Sequence, residues 1–276
     1  MPSTLEWRGG ATAAAQVAQK NVASSTSGHT FILTLAYEDG TTVAVLTHAV
    51  DGVDAGNTTT IAAEIVAEFN ALTHALAVGI TASNSTSKLI LTADSPGVPF
   101  YVTYSGTGTW NDSGCANTAN SGPNDWNTAA NWSTGAVPVD GDTVYLTARG
   151  SDAILYGLNQ TSGTPTLALL YVEQGHPQVG TLDAAMQLKV TTWRHGLPQI
   201  DGSTPTSSSI FNWAFGNTAT AGTIYSTPSQ GSEGRPPVQI DVDNASASIQ
   251  VGGSSRVGIG TATWGQTSTL GTLTVR

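Results

Sequence analysis

Asp241 and Asp243 alternate in the run Gln-Ile-Asp-Val-Asp-Asn over residues 239–244. On a strand both carboxylates project from one face. A glycosidase needs two carboxyls about 5–10 Å apart, one as acid and one as base or nucleophile. A polysaccharide lyase needs a base to take a proton and positive charge to hold the developing anion. Lys189 and Arg194 lie upstream as candidate cations. Any same-face pair on a strand meets the spacing, so the plainer reading is a solvated face or a turn-capping pair. Trp193 and Trp213 join Asp241 and Asp243 as candidate glycan contacts, because an exposed indole can stack on a sugar ring.

Other chemistry finds less support. Asn124, Asp125, Asp140 and Asp142 could offer oxygen ligands to calcium, but the spacing of an EF-hand loop is absent. Asp and Asn beside Gly are the residues of Asx-turns. The histidines at 29, 48, 74, 176 and 195 show no metal-binding spacing. Cys115 is the single cysteine, so no intrachain disulfide forms. No nucleophile elbow or phosphate-binding loop is present. The expectation is a non-enzymatic chain with no catalytic residues, no metal site and no cofactor.

Composition narrows the class further. Charged residues make up 10% of the 276, against about 25% in an average soluble domain. Ser, Thr, Asn and Gly take their place, so surfaces are built from hydroxyls and amides. The formal charge is −10, with nine scattered Lys and Arg. That argues against nucleic acid as a partner, since phosphate binding needs clustered cations. No run approaches the roughly 18 apolar residues of a membrane helix. The opening Met-Pro-Ser-Thr-Leu-Glu-Trp-Arg lacks a basic stretch followed by an apolar run, so no signal peptide is expected there.

The elements that must hold these residues fall into two groups. Residues 1–107 read as a small α+β module. A strand at 30–37, a turn at 38–40 and a strand at 41–47 form a hairpin. Ile61, Ile65, Val66, Phe69 and Leu72 mark one helix face, with Thr60 as the expected N-cap. Strands at 78–82, 88–93 and 100–104 follow as a meander. Residues 11–18 suit either a short helix or a strand. Residues 108–124, rich in Gly, Asn and Ser, read as a linker.

Residues 125–276 read as a β-rich domain, a solenoid or sandwich-like stack of short strands. The expected runs are 144–148, 153–156, 167–172, 187–192, 209–214, 222–225, 238–242, 248–251, 256–260 and 269–275. No strict repeat period is visible. Trp126, Trp132, Pro138 and Asp142 stand at its start. The two tryptophans are expected to plug the end of the stack, with their N–H groups on loop carbonyls. The fold class is therefore mainly β.

Two resemblances follow from these residues. Residues 28–35, 62–70, 80–83, 89–93 and 97–102 resemble, in order, a module of phage tail and head proteins; the likeness covers about a third of the chain. Asn131, Trp132, Gly135, Pro138, Gly141 and Asp142 resemble the N-W-x-x-G-x-x-P-x-x-G-D opening of bacterial surface and autotransporter-type β-solenoid proteins. Together they imply a bacteriophage virion structural protein on the particle surface: a capsid decoration (cement) protein or head fibre. Its implied partners are itself, as a homotrimer, and the major capsid protein or other virion proteins. The alternative is a tail fibre or surface adhesin that binds host glycans. The third is a β-helix polysaccharide depolymerase.

Overall fold

The computed structural model describes residues 1–38, 40–149, 152–160, 166–173, 175–181, 184–197, 211–225, 238–252, 257–259 and 269–275. The expected turn and runs at 38–40, 209–214 and 256–260 each fall partly outside these residues. The chain is mainly β. It divides into two compact units, and the division differs from the expected one. Thr12–Gly122 forms one unit, while Met1–Ala11 joins Pro123–Arg276 in the other. The reason is pairing: strand β1 (Thr4–Glu6) aligns in parallel with a strand far along the chain.

The unit over Thr12–Gly122 holds β2 (Val17–Ser24), β3 (Thr30–Ala36), β4 (Thr42–Ala49), α1 (Thr58–Asn70), α2 (Ala75–Val78), β5 (Ile80–Ser85), β6 (Lys88–Ala93), β7 (Tyr101–Gly106) and β8 (Thr109–Asn111). They form two antiparallel sheets, β5-β6-β2-β8 and β4-β3-β7. In α1, Ile61, Ile65 and Phe69 recur every fourth residue and are buried, as the periodicity predicts. The N-cap is Asn57 rather than Thr60: its side-chain oxygen accepts the Thr60 N–H at 3.2 Å. Asn70 ties the other end of the helix to β5. It donates to the Ala82 carbonyl and accepts the Ala82 N–H, both at 3.0 Å.

The ambiguous segment 11–18 resolves as loop leading into β2. The expected linker is structured in part, because β8 pairs with β2 and Trp110 packs edge-on against Phe31 at 4.8 Å. The partly buried Trp110, packed on buried Phe31, gives this stretch the area that its Gly and Ser lack.

The other unit holds β1, β9 (Thr143–Leu146), β10 (Leu167–Glu173), β11 (Met186–Gln187), β12 (Val190–Leu197), β13 (Phe211–Gly216), β14 (Ala221–Ile224), β15 (Val238–Val251), β16 (Val257–Ile259) and β17 (Thr269–Val275). Among the described residues, every ladder between these strands is parallel; one isolated bridge, Trp7 to Trp132, is antiparallel. One series runs β1-β9-β10-β12-β14, then the second half of β15, then β17. Leu5, Val144, Leu170, Trp193, Gly222, Ile249 and Leu273 stand in one column across it. A second series runs β11-β13, the first half of β15, and β16.

Strand β15 belongs to both series, and the break lies near Asn244. The Asn244 amide donates to the carbonyls of Asn217 (3.2 Å) and Ala219 (2.9 Å), and its oxygen accepts the Ser246 N–H (2.9 Å). One side chain thus supplies the partners that a bending backbone gives up.

Between the two series lies a single apolar core of aliphatic residues and large aromatics. Packing is complementary along the columns. Gly222 stands between Trp193 and Ile249, and a Cβ placed there would meet the Trp193 ring and the Ile249 side chain at 3.3 Å. The tryptophan fills what the glycine leaves. Gly222→Val should overpack the column and cost about 2 kcal/mol, read as a lowered denaturation midpoint in urea. An unchanged midpoint would contradict this packing.

Candidate functional site

Three groups of residues are positioned well enough to act. The first is the plug at the β1 end. Trp126 and Trp132 are buried, with ring centroids 4.6 Å apart and edge to face. Trp7, which the sequence reading passed over, completes the group at 5.1 Å from Trp132. The Trp132 ring N–H donates to the Trp126 carbonyl (2.9 Å), and the Trp7 ring N–H donates to the Asp152 carbonyl (3.0 Å). Buried Asn131 knits the loop beneath, donating to the Asp125 carbonyl at 2.9 Å and accepting the Ala11 N–H at 3.0 Å.

Asp142 and the buried Pro138 belong to the turn that starts β9. One Asp142 oxygen accepts the Ser3 N–H at 2.6 Å, and the other accepts the Val139 N–H at 2.7 Å. The same turn places Gly141 at φ +79°, where a side chain is strained. Asp140 and Asp125 likewise accept backbone N–H groups, from Thr166 and Asn127. These carboxylates hold backbone: Asp142 and Asp125 each cap a local turn, and Asp142 and Asp140 also tie in the distant Ser3 and Thr166. Among the described residues no group of three His, Cys, Asp or Glu side chains is placed to hold a metal ion.

The second group lies inside the stack. Trp193 and Trp213 are 1% and 0% exposed. They pack with Phe215 at ring distances of 5.3 and 5.7 Å. A buried ring offers no face to a sugar, so the expected glycan role of these two residues is corrected. Both sit in apolar columns because strand alternation points them inward. Asp241 is buried on the first half of β15, paired with β13, while Asp243 is exposed. Arg194 lies on β12, in the other series, and its guanidinium is engaged by Tyr171.

Two histidines share this interior. His176 approaches the Thr147 carbonyl at 3.3 Å, and His195 stands edge-on to Phe211 at 4.6 Å. Burial pushes His176 down to about 4 and His195 to about 3; the proximity of His176 also lowers His195. Both are neutral at pH 7.

The third group is on the outer face. In-register parallel pairing sets Glu6, Tyr145, Tyr171 and Arg194 side by side on neighbouring strands. Tyr145 and Tyr171 stack with centroids 4.7 Å apart and planes 3° from parallel. Arg194 lies over the far side of Tyr171 at 5.3 Å and donates to its hydroxyl at 2.6 Å. Beside this row opens a groove of about 460 Å³, lined by Glu6, Arg8, Tyr145, Thr147, Arg149 and Glu173, among others. The sequence reading missed it. A signal existed: Val144-Tyr145-Leu146 and Leu170-Tyr171-Val172 repeat one apolar-Tyr-apolar pattern.

No family model matches the chain, and comparison with curated proteins and with solved structures finds no match. Among the described residues no helix is long and apolar enough to cross a membrane.

Two outcomes test these geometries. Asp142→Ala removes two charge-assisted bonds and strands two N–H groups, so unfolding free energy should fall by about 3 kcal/mol; Asp142→Asn should lose less. For the histidines the folded values lie below the unfolded value of 6.5. Their contribution is therefore complete above pH 6.5, falls as pH drops because only the unfolded chain takes up protons, and levels off below about pH 4 and about pH 3. The slope should be roughly 1.4 kcal/mol per pH unit for each histidine. His195→Phe should make it shallower in urea titrations run from pH 7 to 4.

Proposed function

We propose that the chain is a non-enzymatic structural protein of a bacteriophage virion, a β-solenoid that carries an α+β unit inserted after its first strand and decorates or cements the particle surface. The observation that carries this reading is the parallel pairing from β1 to β17, with one apolar column running through it, around a filled apolar interior. Such a stack is stiff, because each strand hydrogen-bonds along its length to the strands beside it. Beyond Glu6 and Arg194, its outer rows carry mainly hydroxyl and amide side chains, among them Thr143, Thr192, Thr223, Ser248, Gln250, Thr272 and Thr274. The two resemblances noted in the sequence point the same way. A cement protein needs no chemistry; it adds buried area across the joints of a shell.

Self-association as a homotrimer, and contact with the major capsid protein, belong to the same proposal.

A second reading, a tail fibre or adhesin that holds host glycans, is favoured by the Tyr145–Tyr171 row, a solvent-side aromatic feature. A depolymerase would require Asp241, Asp243 and a cation to converge, whereas Arg194 is engaged by Tyr171.

Light scattering on the purified chain, alone and with empty capsids, decides between these. A mass three times that of the chain, together with co-sedimentation with capsids, is the expected result. A monomer that ignores capsids overturns the proposal.

A further inference from the structure

We propose that the outer-face groove beside Tyr145 binds an acidic saccharide, with Tyr145 as the stacking platform and Arg8 and Arg149 as the carboxylate-binding groups. The argument begins with the spacing of parallel strands. Neighbouring strands lie about 4.8 Å apart, which is also a stacking distance for aromatic rings. In-register tyrosines on β9 and β10 therefore stack, at 4.7 Å. The row has an aromatic ring on two strands only. On β10 the Tyr171 face away from Tyr145 is covered by Arg194. On β1 the register puts Glu6, not a ring, beside Tyr145. The Glu6 carboxylate accepts the Thr147 hydroxyl at 2.8 Å. Tyr145 thus meets the groove with no aromatic neighbour on the β1 side. A flat ring beside a polar groove is the arrangement on which the C–H face of a sugar settles.

The polar lining has a particular division of labour. Glu6 is held by Thr147, and Glu173 accepts the Ala148 N–H at 3.0 Å. Each uses one oxygen in this way; the other can accept a sugar hydroxyl. Arg8 and Arg149 are exposed, and among the described residues neither guanidinium has a hydrogen bond or ion pair. They are two of nine Lys and Arg in a chain of formal charge −10; with Glu6 and Glu173 they make the groove lining formally neutral, and both Glu carboxylates already hold protein partners. Guanidinium binds carboxylate through paired, planar hydrogen bonds. A ligand with ring C–H faces, hydroxyls and a carboxylate answers all three features. That ligand is a uronate-type or other carboxylate-bearing sugar. The volume, about 460 Å³, lies within the roughly 300–1,000 Å³ of small-ligand sites, so the groove would take a short stretch of such a polymer.

This inference stands apart from the virion proposal and fails or succeeds separately from it. The test is titration calorimetry and affinity electrophoresis of the full chain against polygalacturonate, alginate and hyaluronate, with methyl-esterified pectin and dextran as neutral probes. The expected result is binding to at least one acidic polymer at 0.15 M salt, with at least tenfold weaker binding to the neutral ones. Arg8→Ala combined with Arg149→Ala should weaken binding at least tenfold and reduce its salt dependence. Tyr145→Leu should weaken it, while Tyr145→Phe, which keeps the ring, should not. The arginines are exposed and unpaired, so their replacement should leave the melting temperature unchanged. Equal binding of neutral and acidic polymers, binding unaffected by the paired arginine replacement, or no binding to any acidic probe would each overturn the proposal.

Discussion

The parallel, in-register pairing of strands governs the β-rich unit. Once Leu5, Val144, Leu170, Trp193, Gly222, Ile249 and Leu273 share one column, alternation fixes every neighbour. Even a one-residue slip would turn each apolar column outward. The core, the hydroxyl-bearing outer face and the tyrosine stack are three consequences of one register. Gly222 shows how tightly the columns are coupled, since its missing side chain answers the size of Trp193. Asn244 stands where the β15–β17 register shifts, and its amide supplies backbone partners there.

The start of the stack is secured by different means. β1 is three residues long, too short to hold its place by ladder bonds alone. Its position rests on Asp142 gripping the Ser3 N–H, on Ser133 accepting the Glu6 N–H, and on Trp7 joining the tryptophan plug. These partners come from residues 126–142, the Asn-Trp…Gly-Asp segment. That stretch is rich in turn residues because it has little to do except receive another part of the chain.

The sequence made some of this legible and hid the rest for identifiable reasons. The mainly β character, the helix face of Ile61, Ile65 and Phe69, and the burial of Trp126 and Trp132 follow from local patterns, and local patterns are visible in a single chain. The N-cap slipped from Asn57 to Thr60 because both residue types suit the position. Trp193 and Trp213 looked solvent-facing beside polar neighbours, yet strand alternation turns them inward. Which strands neighbour one another was hidden, because no strict period marks the columns and β1 finds its partner across more than a hundred residues. For the same reason Glu6, Arg8, Tyr145 and Arg149 could not be gathered into one groove. Only the repeated apolar-Tyr-apolar triplet hinted that two tyrosines would share a column.

The unit over Thr12–Gly122 closes on itself where it enters and leaves the chain. Ala14 is bridged to Ser121 and Val17 to Thr118, each through backbone hydrogen bonds. A segment whose two ends are already joined asks almost nothing of its host: it imposes no closure entropy beyond a short loop. Such a segment is portable. Its ends, held side by side, let the β-rich chain resume at Pro123 a short step from where it left off at Ala11.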